Sequence, residues 1–210
     1  YDLYERLNTA FPQIIFESCA SGGGRFDPGI LYYAPQGWTS DDTDAAERVK
    51  IQYGTSMCYP VSSMGSHVSV VPNHQLNRKT PLHTRANVAY FGTFGYELDL
   101  NKLSDEEIRE VKQQITFMKE YRELIQFGTF YRLKSPFEGN ETAWMTVREK
   151  KKTALVFWYR ERNVVNADFT RVRLQGLDPD LIYRNEYNET ENYGAERMKL
   201  GLLTTDRTAG

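Results

Sequence analysis

Several features are scarce in this 210-residue sequence, and each scarcity excludes a class of protein. Only two cysteines are present, Cys19 and Cys58, so a disulfide-dense secreted scaffold is excluded. Neither sign of charge dominates, with 26 Lys and Arg against 28 Asp and Glu, and this argues against nucleic acid as a partner. No apolar run approaches the ~20 residues that cross a bilayer, so no membrane partner is expected. The chain starts at Tyr1 rather than Met, which predicts a piece of a longer protein.

The pattern of apolar residues changes near residue 127. Before this point, short apolar runs alternate with helical periodicity, which predicts parallel β/α units. After it, apolar and polar residues alternate in short segments, which predicts antiparallel strands. We therefore expect an α/β domain over residues 1–126 and an antiparallel β domain, a sheet or sandwich, over residues 127–210. Aromatic residues make up 13% of the chain, whereas disordered chains contain few of them. The chain is therefore expected to fold around apolar cores.

The first region contains the residues expected to carry chemistry. Polar loops follow its predicted strands, which fits a TIM-type barrel with its site at the carboxyl ends of the strands. About four β/α units are present where a closed barrel has eight, so half a barrel is expected. The clearest helix covers residues 105–126 and begins with a capping box from Ser104 to Glu107. The predicted barrel strands lie at 13–18, 36–40, 57–61 and 94–98, with a polar loop over 62–82.

Three carboxylates within four positions form the densest polar feature, at Asp41, Asp42 and Asp44. A strand that ends near Trp38 places Asp41 at the strand tip, facing a pocket, while the other two acids cap the following helix. In the alternative interpretation all three acids cap that helix. A carboxyl at the mouth of a barrel is suited to general acid catalysis.

A glycine-rich loop lies between Ser18 and Asp27. Its three consecutive glycines allow a ligand to approach the backbone closely, although a tight turn explains them equally well. The ending of a phosphate-binding loop is absent. Cys19 fits a small buried apolar residue better than a nucleophile, because no histidine stands out as its partner.

The three histidines, His67, His74 and His83, have spacings that match no zinc motif, so neither a metal site nor a cofactor is expected. They are interpreted as hydrogen-bonding groups in the polar loop.

Several segments together resemble the α-galactosidases of glycoside hydrolase family 36. They occur in the family's order, which makes the resemblance much stronger than any single motif. The matching segments are CASGGGRFD at 19–27, WTSDDTD at 38–44, YPVSSMGSHVS at 59–69, PNHQ at 72–75, RKTP at 78–81, TR at 84–85 and FGTFGYE at 91–97.

The resemblance implies the second half of a catalytic (β/α)₈ barrel followed by a C-terminal β domain. It also implies a retaining hydrolase that releases terminal α-1,6-linked galactose from melibiose- or raffinose-type sugars. In this family Asp41 matches the general acid/base, and Cys19 and Gly22 match positions that contact galactose. Trp38, beside Asp41, is expected to bind substrate too. The family often forms tetramers, so a homo-oligomer is expected. Two free cysteines fit a reducing compartment, so a cytoplasmic location is expected.

One departure from the family pattern changes the expectation for this chain. The family's nucleophile is the Asp of a Lys-Trp-Asp motif, and that motif is not in this sequence. We therefore expect the 210-residue chain to be inactive by itself. Two alternatives to hydrolysis stay open: a galactosyl transferase of the raffinose or stachyose synthase type, and a sugar-binding or assembly module without catalysis.

Overall fold

A computed structural model describes residues 1–19, 24, 26–148, 150–163, 165 and 169–204. The chain divides into two compact units, Tyr1–Gln126 and Phe127–Gly210. Short parallel strands alternate with helices in the first, and the strands of the second pair in antiparallel fashion. The predicted fold class, α/β followed by all-β, is confirmed.

The first unit is a parallel sheet whose strands follow one another in chain order, β1-β2-β3-β4. Strands β3 and β4 are joined by five residue pairs, whereas β1 with β2 and β2 with β3 share two pairs each. The elements in this part of the chain are α1 (Asp2–Ala10), β1 (Glu17–Ser18), α2 (Pro28–Tyr33), β2 (Gln36–Trp38), α3 (Ala45–Thr55), β3 (Met64–Ser69), α4 (Leu82–Ala89), β4 (Thr93–Glu97) and α5 (Asp105–Phe127).

Helices cover one face of this sheet. On β3, the Ser66 hydroxyl donates to Gln52 Oε1 of α3 at 2.9 Å, and on β4 the Tyr96 hydroxyl donates to Gln114 of α5 at 2.7 Å. Successive strand residues point to opposite faces, so His67 and Glu97 lie on the other face. That helix-free face is the one that can carry a site.

Strand β3 shows where the sequence prediction was wrong. A strand was expected at 57–61 and a loop from 62, but residues 57–59 follow the end of α3 and the strand is Met64–Ser69. The strand is hard to detect because it carries buried serines at Ser66 and Ser69 instead of an apolar run. The first predicted strand was too long as well, since only Glu17–Ser18 of 13–18 pairs with β2.

Helix α5 confirms the predicted capping box. The Glu107 backbone N–H donates to the Ser104 hydroxyl at 3.2 Å, and the Ser104 backbone N–H donates to the Glu107 carboxylate at 2.8 Å. These two bonds satisfy donors that a helix start otherwise leaves unpaired.

The second unit contains a three-stranded antiparallel sheet in the order β5-β6-β7. Two further strand pairs, β8 with β11 and β9 with β10, are also antiparallel. Its apolar core includes Met145, Val172 and Leu177. The elements are β5 (Thr129–Lys134), β6 (Glu141–Val147), β7 (Ala154–Arg160), β8 (Arg171–Val172), β9 (Ile182–Arg184), β10 (Glu191–Tyr193), α6 (Gly194–Lys199) and β11 (Leu202–Leu203).

A charged cluster around Glu141 stabilises the edge of this core. Its carboxylate accepts hydrogen bonds from Lys134, from Arg160 at 2.9 Å and from the Thr170 hydroxyl at 2.8 Å. Burial of the carboxyl raises its pKa, but these three donors lower it more, and the resulting pKa of Glu141 is about 2.

The Glu141 cluster predicts a pH-dependent stability for the second unit. Because the pKa of Glu141 is lower in the folded state, its contribution is complete above about pH 4.5 and disappears as the pH falls toward 2. We expect Glu141→Gln to lower the free energy of unfolding at pH 7, with a difference from the parent chain that shrinks as the pH falls toward 2. Urea unfolding followed by tryptophan fluorescence measures the free energy of unfolding at pH 7 and its change as the pH is lowered.

Glu138→Gln serves as the control, because Glu138 is exposed and its side chain makes no hydrogen bond or ion pair within the described residues. This variant should keep the pH dependence of the parent. If Glu141→Gln also keeps the pH dependence of the parent, the Glu141 cluster does not stabilise the second unit as described.

Candidate functional site

The three clustered acids have different surroundings at the carboxyl end of β2. Asp44 is 3% exposed and is the N-cap of α3, where its carboxylate accepts from the backbone N–H groups of Ala46 at 3.0 Å and Glu47 at 3.2 Å. Asp42 accepts from the backbone N–H of Asp44 at 3.0 Å, which forms a turn that leads into the helix. Both side chains therefore build the local structure.

Asp41 differs from these two acids. It is exposed, and its side chain makes no hydrogen bond or ion pair within the described part of the chain. The backbone on either side is nevertheless held, because the Asp42 N–H donates to the Ser40 hydroxyl at 3.1 Å. The interpretation in which all three acids cap the helix is thus wrong for Asp41, whose carboxyl is available to a ligand.

A second loop, which follows β3, is attached to the loop that carries Asp41. The Asn73 amide donates to the Thr43 hydroxyl at 3.1 Å. Arg78 forms an ion pair with Asp44 and lies 3.7 Å from a Glu47 carboxylate oxygen. Asn73 is itself 3% exposed and accepts from two backbone N–H groups of its own loop at 2.9 Å. The two loops therefore form one connected structure at the carboxyl edge of the sheet.

Arg48 of α3 fills the gap where β2 and β3 separate. Trp38 and Gly65 are the last pair between these strands. The Arg48 guanidinium donates to the carbonyl oxygens of Ser40 at 3.2 Å and Gly65 at 2.8 Å, one beside each strand. It also lies 4.3 Å from the centroid of the Trp38 ring, at cation–π distance.

The charge of Arg48 persists although the side chain is 2% exposed. Burial lowers the pKa of its guanidinium to about 10, and the nearby carboxylates of Glu97 and Asp42 oppose that decrease. A permanent positive charge therefore lies beneath the loop that carries Asp41.

Two aromatic rings and one carboxylate occupy the helix-free face. The His67 ring stacks on Trp38 with centroids 4.6 Å apart and planes at 23°. Nδ1 of His67 lies 3.6 Å from Glu97 Oε2, which is within ion-pair distance. Two glycines make room for this layer, because a Cβ at Gly65 would lie 2.9 Å from the Trp38 ring and one at Gly95 would lie 3.0 Å from His67.

Two of the remaining predicted site residues, Cys19 and Trp38, lie at the ends of β1 and β2. Cys19 follows directly after β1 and is exposed, so its interpretation as a buried apolar residue is wrong. Trp38 is 9% exposed, so its contacts with His67 and Arg48 leave a small part of the ring accessible. Gly22 lies outside the described residues. Asp27, at the far end of that loop, caps α2 by accepting from Ile30 N–H at 3.0 Å.

Comparison with known proteins places the chain in a family. The family model described as Melibiase matches residues 1–128, more than half of the chain. The chain belongs to the melibiase family. A second model, described as the C-terminal domain of glycosyl hydrolase family 36, matches residues 141–209.

Two curated relatives illustrate the similarity of this melibiase chain to longer enzymes. It is 56% identical over 186 residues to the α-galactosidase AgaA of Geobacillus stearothermophilus, which covers 89% of the chain and 26% of AgaA. It is 51% identical over 202 residues to the α-galactosidase Mel36A of Lactobacillus acidophilus, covering 96% of the chain and 28% of the relative. The chain thus spans little more than a quarter of these relatives.

Solved structures agree with the fold. The galactosidase domain of the α-galactosidase–sucrose kinase AgaSK matches with a TM-score of 0.95 and 48% identity, over 99% of this chain and 29% of that one. A variant of AgaA from G. stearothermophilus in complex with raffinose matches with a TM-score of 0.96 and 51% identity, over 100% of this chain and 29% of that one.

Sequence reasoning missed Arg48, and it placed His67 in a loop and Glu97 outside the site. Arg48 sits in an ordinary helical pattern, and its contacts depend on how far β2 and β3 separate. His67 and Glu97 are 30 positions apart and meet because β3 and β4 are paired in register. The available signal was the pair of glycines at 65 and 95, which marks a crowded face.

Two other kinds of feature do not occur in the part of this melibiase chain that the structure describes. Among the described residues, no three His, Cys, Asp or Glu side chains are grouped so that they could hold a metal ion. No helix in the same residues has the length and apolar character needed to cross a membrane.

The different roles of Asp44 and Asp41 predict different effects on stability. We expect Asp44→Ala to lower the free energy of unfolding by about 1–2 kcal/mol, because α3 loses its N-cap and Arg78 loses its partner. Asp41→Ala is the matched control and should change it by less than about 0.5 kcal/mol. Chemical denaturation of the three chains measures this, and equal losses in both variants would contradict the assignment.

Proposed function

We propose that this chain supplies the general acid/base of a retaining α-galactosidase, and that Asp41 is that residue. The observation that carries the proposal is the exposed, uncommitted carboxyl of Asp41 at the carboxyl edge of the sheet, just before two acids that are used structurally. This position agrees with the part of a β/α barrel where reacting groups lie. Membership of the melibiase family supports the reaction class.

The proposed mechanism uses two carboxyl groups about 5–5.5 Å apart. The Asp41 carboxylic acid donates its proton to the glycosidic oxygen as the bond from that oxygen to the anomeric carbon breaks, while a second carboxylate attacks that carbon. The resulting Asp41 carboxylate then takes a proton from the water that releases galactose from the covalent intermediate. The attacking carboxylate has to come from outside these 210 residues, because the sequence has no Lys-Trp-Asp motif.

The same edge offers groups for holding the sugar. We propose that Cys19 contacts galactose from the end of β1, that Gly22 contacts it as well, and that Trp38 presents the accessible part of its ring. The substrates are expected to be α-galactosides of the melibiose and raffinose type. This substrate class is supported by relatives whose structures contain raffinose or stachyose.

The organisation of the whole protein follows from the same family membership. We propose that residues 1–126 are the second half of a catalytic (β/α)₈ barrel and that residues 127–210 are its C-terminal β domain. A homo-oligomer, such as the tetramers common in the family, and a cytoplasmic location are part of this proposal.

The mechanism predicts two losses of activity. A full-length family enzyme in which this segment replaces its counterpart should hydrolyse p-nitrophenyl α-galactoside, and Asp41→Asn should lower kcat at least 100-fold. The 210-residue chain alone should release no nitrophenol above the buffer rate.

Asp42→Asn is the control, because its side chain has a structural role and the amide retains the accepting oxygen. It should keep most of the activity. Turnover by the Asp41→Asn enzyme at the parent rate would refute the assignment. Transfer of galactose to sucrose in preference to water would favour the transferase alternative.

A further inference from the structure

The imidazole of His67 lies on the helix-free face beside Trp38, and the proposed reaction gives it no role. Its ring is fixed by the stack on Trp38 and by the strand pairing of β3 with β4. Nδ1 is buried and has no hydrogen-bond partner. Nε2 is not a buried unpaired atom like Nδ1, and it makes no hydrogen bond within the described residues. The ring therefore presents one nitrogen to Glu97 and the other to solvent.

Glu97 determines which nitrogen carries the proton. Its Oε2 lies 3.6 Å from Nδ1, which is too long for a direct hydrogen bond but close enough for the carboxylate to favour a proton on Nδ1. With Nδ1 protonated, Nε2 of the neutral ring is a hydrogen-bond acceptor. Such contacts are often long in a ligand-free site and shorten when a ligand binds.

The surroundings keep Nε2 accessible. Gly95, which pairs with His67 on the neighbouring strand, has no side chain, and a Cβ there would lie 3.4 Å from Nε2 and 3.0 Å from the adjacent ring carbon. Arg48, which interacts electrostatically with the Glu97 carboxylate, directs its guanidinium to the Gly65 carbonyl oxygen at 2.8 Å. A hydroxyl group fits this position because it can donate to Nε2 without bringing a charge.

We propose that His67 is a further substrate-binding residue, and that its Nε2, with the tautomer set by Glu97, accepts a hydrogen bond from a hydroxyl group of the bound sugar. This inference rests on the proposed function for the identity of the sugar. The geometry of the pair itself does not depend on Asp41. Glu97 acts through His67 and is a positioning residue.

The binding test uses the full-length enzyme that carries this segment, with free galactose as the probe. Phe at position 67 preserves a ring that stacks on Trp38 but removes both nitrogens. We expect His67→Phe to raise the Kd for galactose and KM about ten-fold, as the loss of one hydrogen bond would, with kcat changed less than about two-fold. His67→Gln, which keeps a polar group, should recover part of the affinity.

The role of Glu97 is tested by a double-mutant cycle that combines substitutions of Glu97 and His67. Glu97→Gln should weaken galactose binding in the parent enzyme but add little in the His67→Phe background, because the two residues act as one unit. The matched control is His74→Phe, since His74 is exposed in the loop after β3. It should leave the Kd unchanged.

An independent readout is the tautomer of His67 in the 210-residue chain. Long-range ¹H–¹⁵N spectra at neutral to alkaline pH should show a proton on Nδ1 and none on Nε2, and Glu97→Gln should reduce this preference. A dominant proton on Nε2 in the parent chain would overturn the proposal.

The outcomes separate the two proposals. If galactose binds equally well to the parent and His67→Phe enzymes, the His67 contact is refuted, whatever Asp41 does. If galactose binding depends on His67 but Asp41→Asn retains full turnover, the His67 contact stands and the assigned catalytic role of Asp41 is refuted. A parent enzyme that neither binds galactose nor cleaves galactosides would refute both.

Discussion

The buried carboxylate of Asp44 joins three parts of the first unit, and the candidate site depends on it. It caps α3, ends the turn that follows β2, and pairs with Arg78 from the loop after β3. Removing its charge would leave two loops and a helix start without their common partner. The exposed carboxyl of Asp41, three positions earlier, precedes this arrangement and takes no part in it.

Sequence reasoning was reliable where a residue's role is local. The caps at Ser104 and Asp44 and the helices that follow them are set by contacts within a few residues, so they could be predicted from spacing. Strand β3 could not, because its buried serines find partners on a helix that is distant in sequence. The same limit applies to Arg48, whose contacts depend on the separation of two strands. The motif resemblance pointed to the carboxyl edge of the sheet but not to the contact between His67 and Glu97.

The site suits recognition of a neutral, hydroxyl-rich ligand. Its charges are largely committed to each other or to the backbone, as with Arg48 and its carbonyl partners. The Asp41 carboxyl, part of the Trp38 ring and Nε2 of His67 are not committed in this way. Groups of this kind form hydrogen bonds and apolar contacts with sugars, which agrees with the proposed function.

The unequal strand pairing has a mechanical consequence. Five residue pairs hold β3 and β4 together, whereas two hold β2 to each neighbour. A sheet built in this way bends most readily at β2, and closing a sheet into a barrel requires curvature and stagger. The pairing is thus most extensive beside His67 and Glu97 and least extensive beside Trp38 and Asp41. A change of curvature at β2 would therefore shift Asp41 and Trp38 together relative to His67.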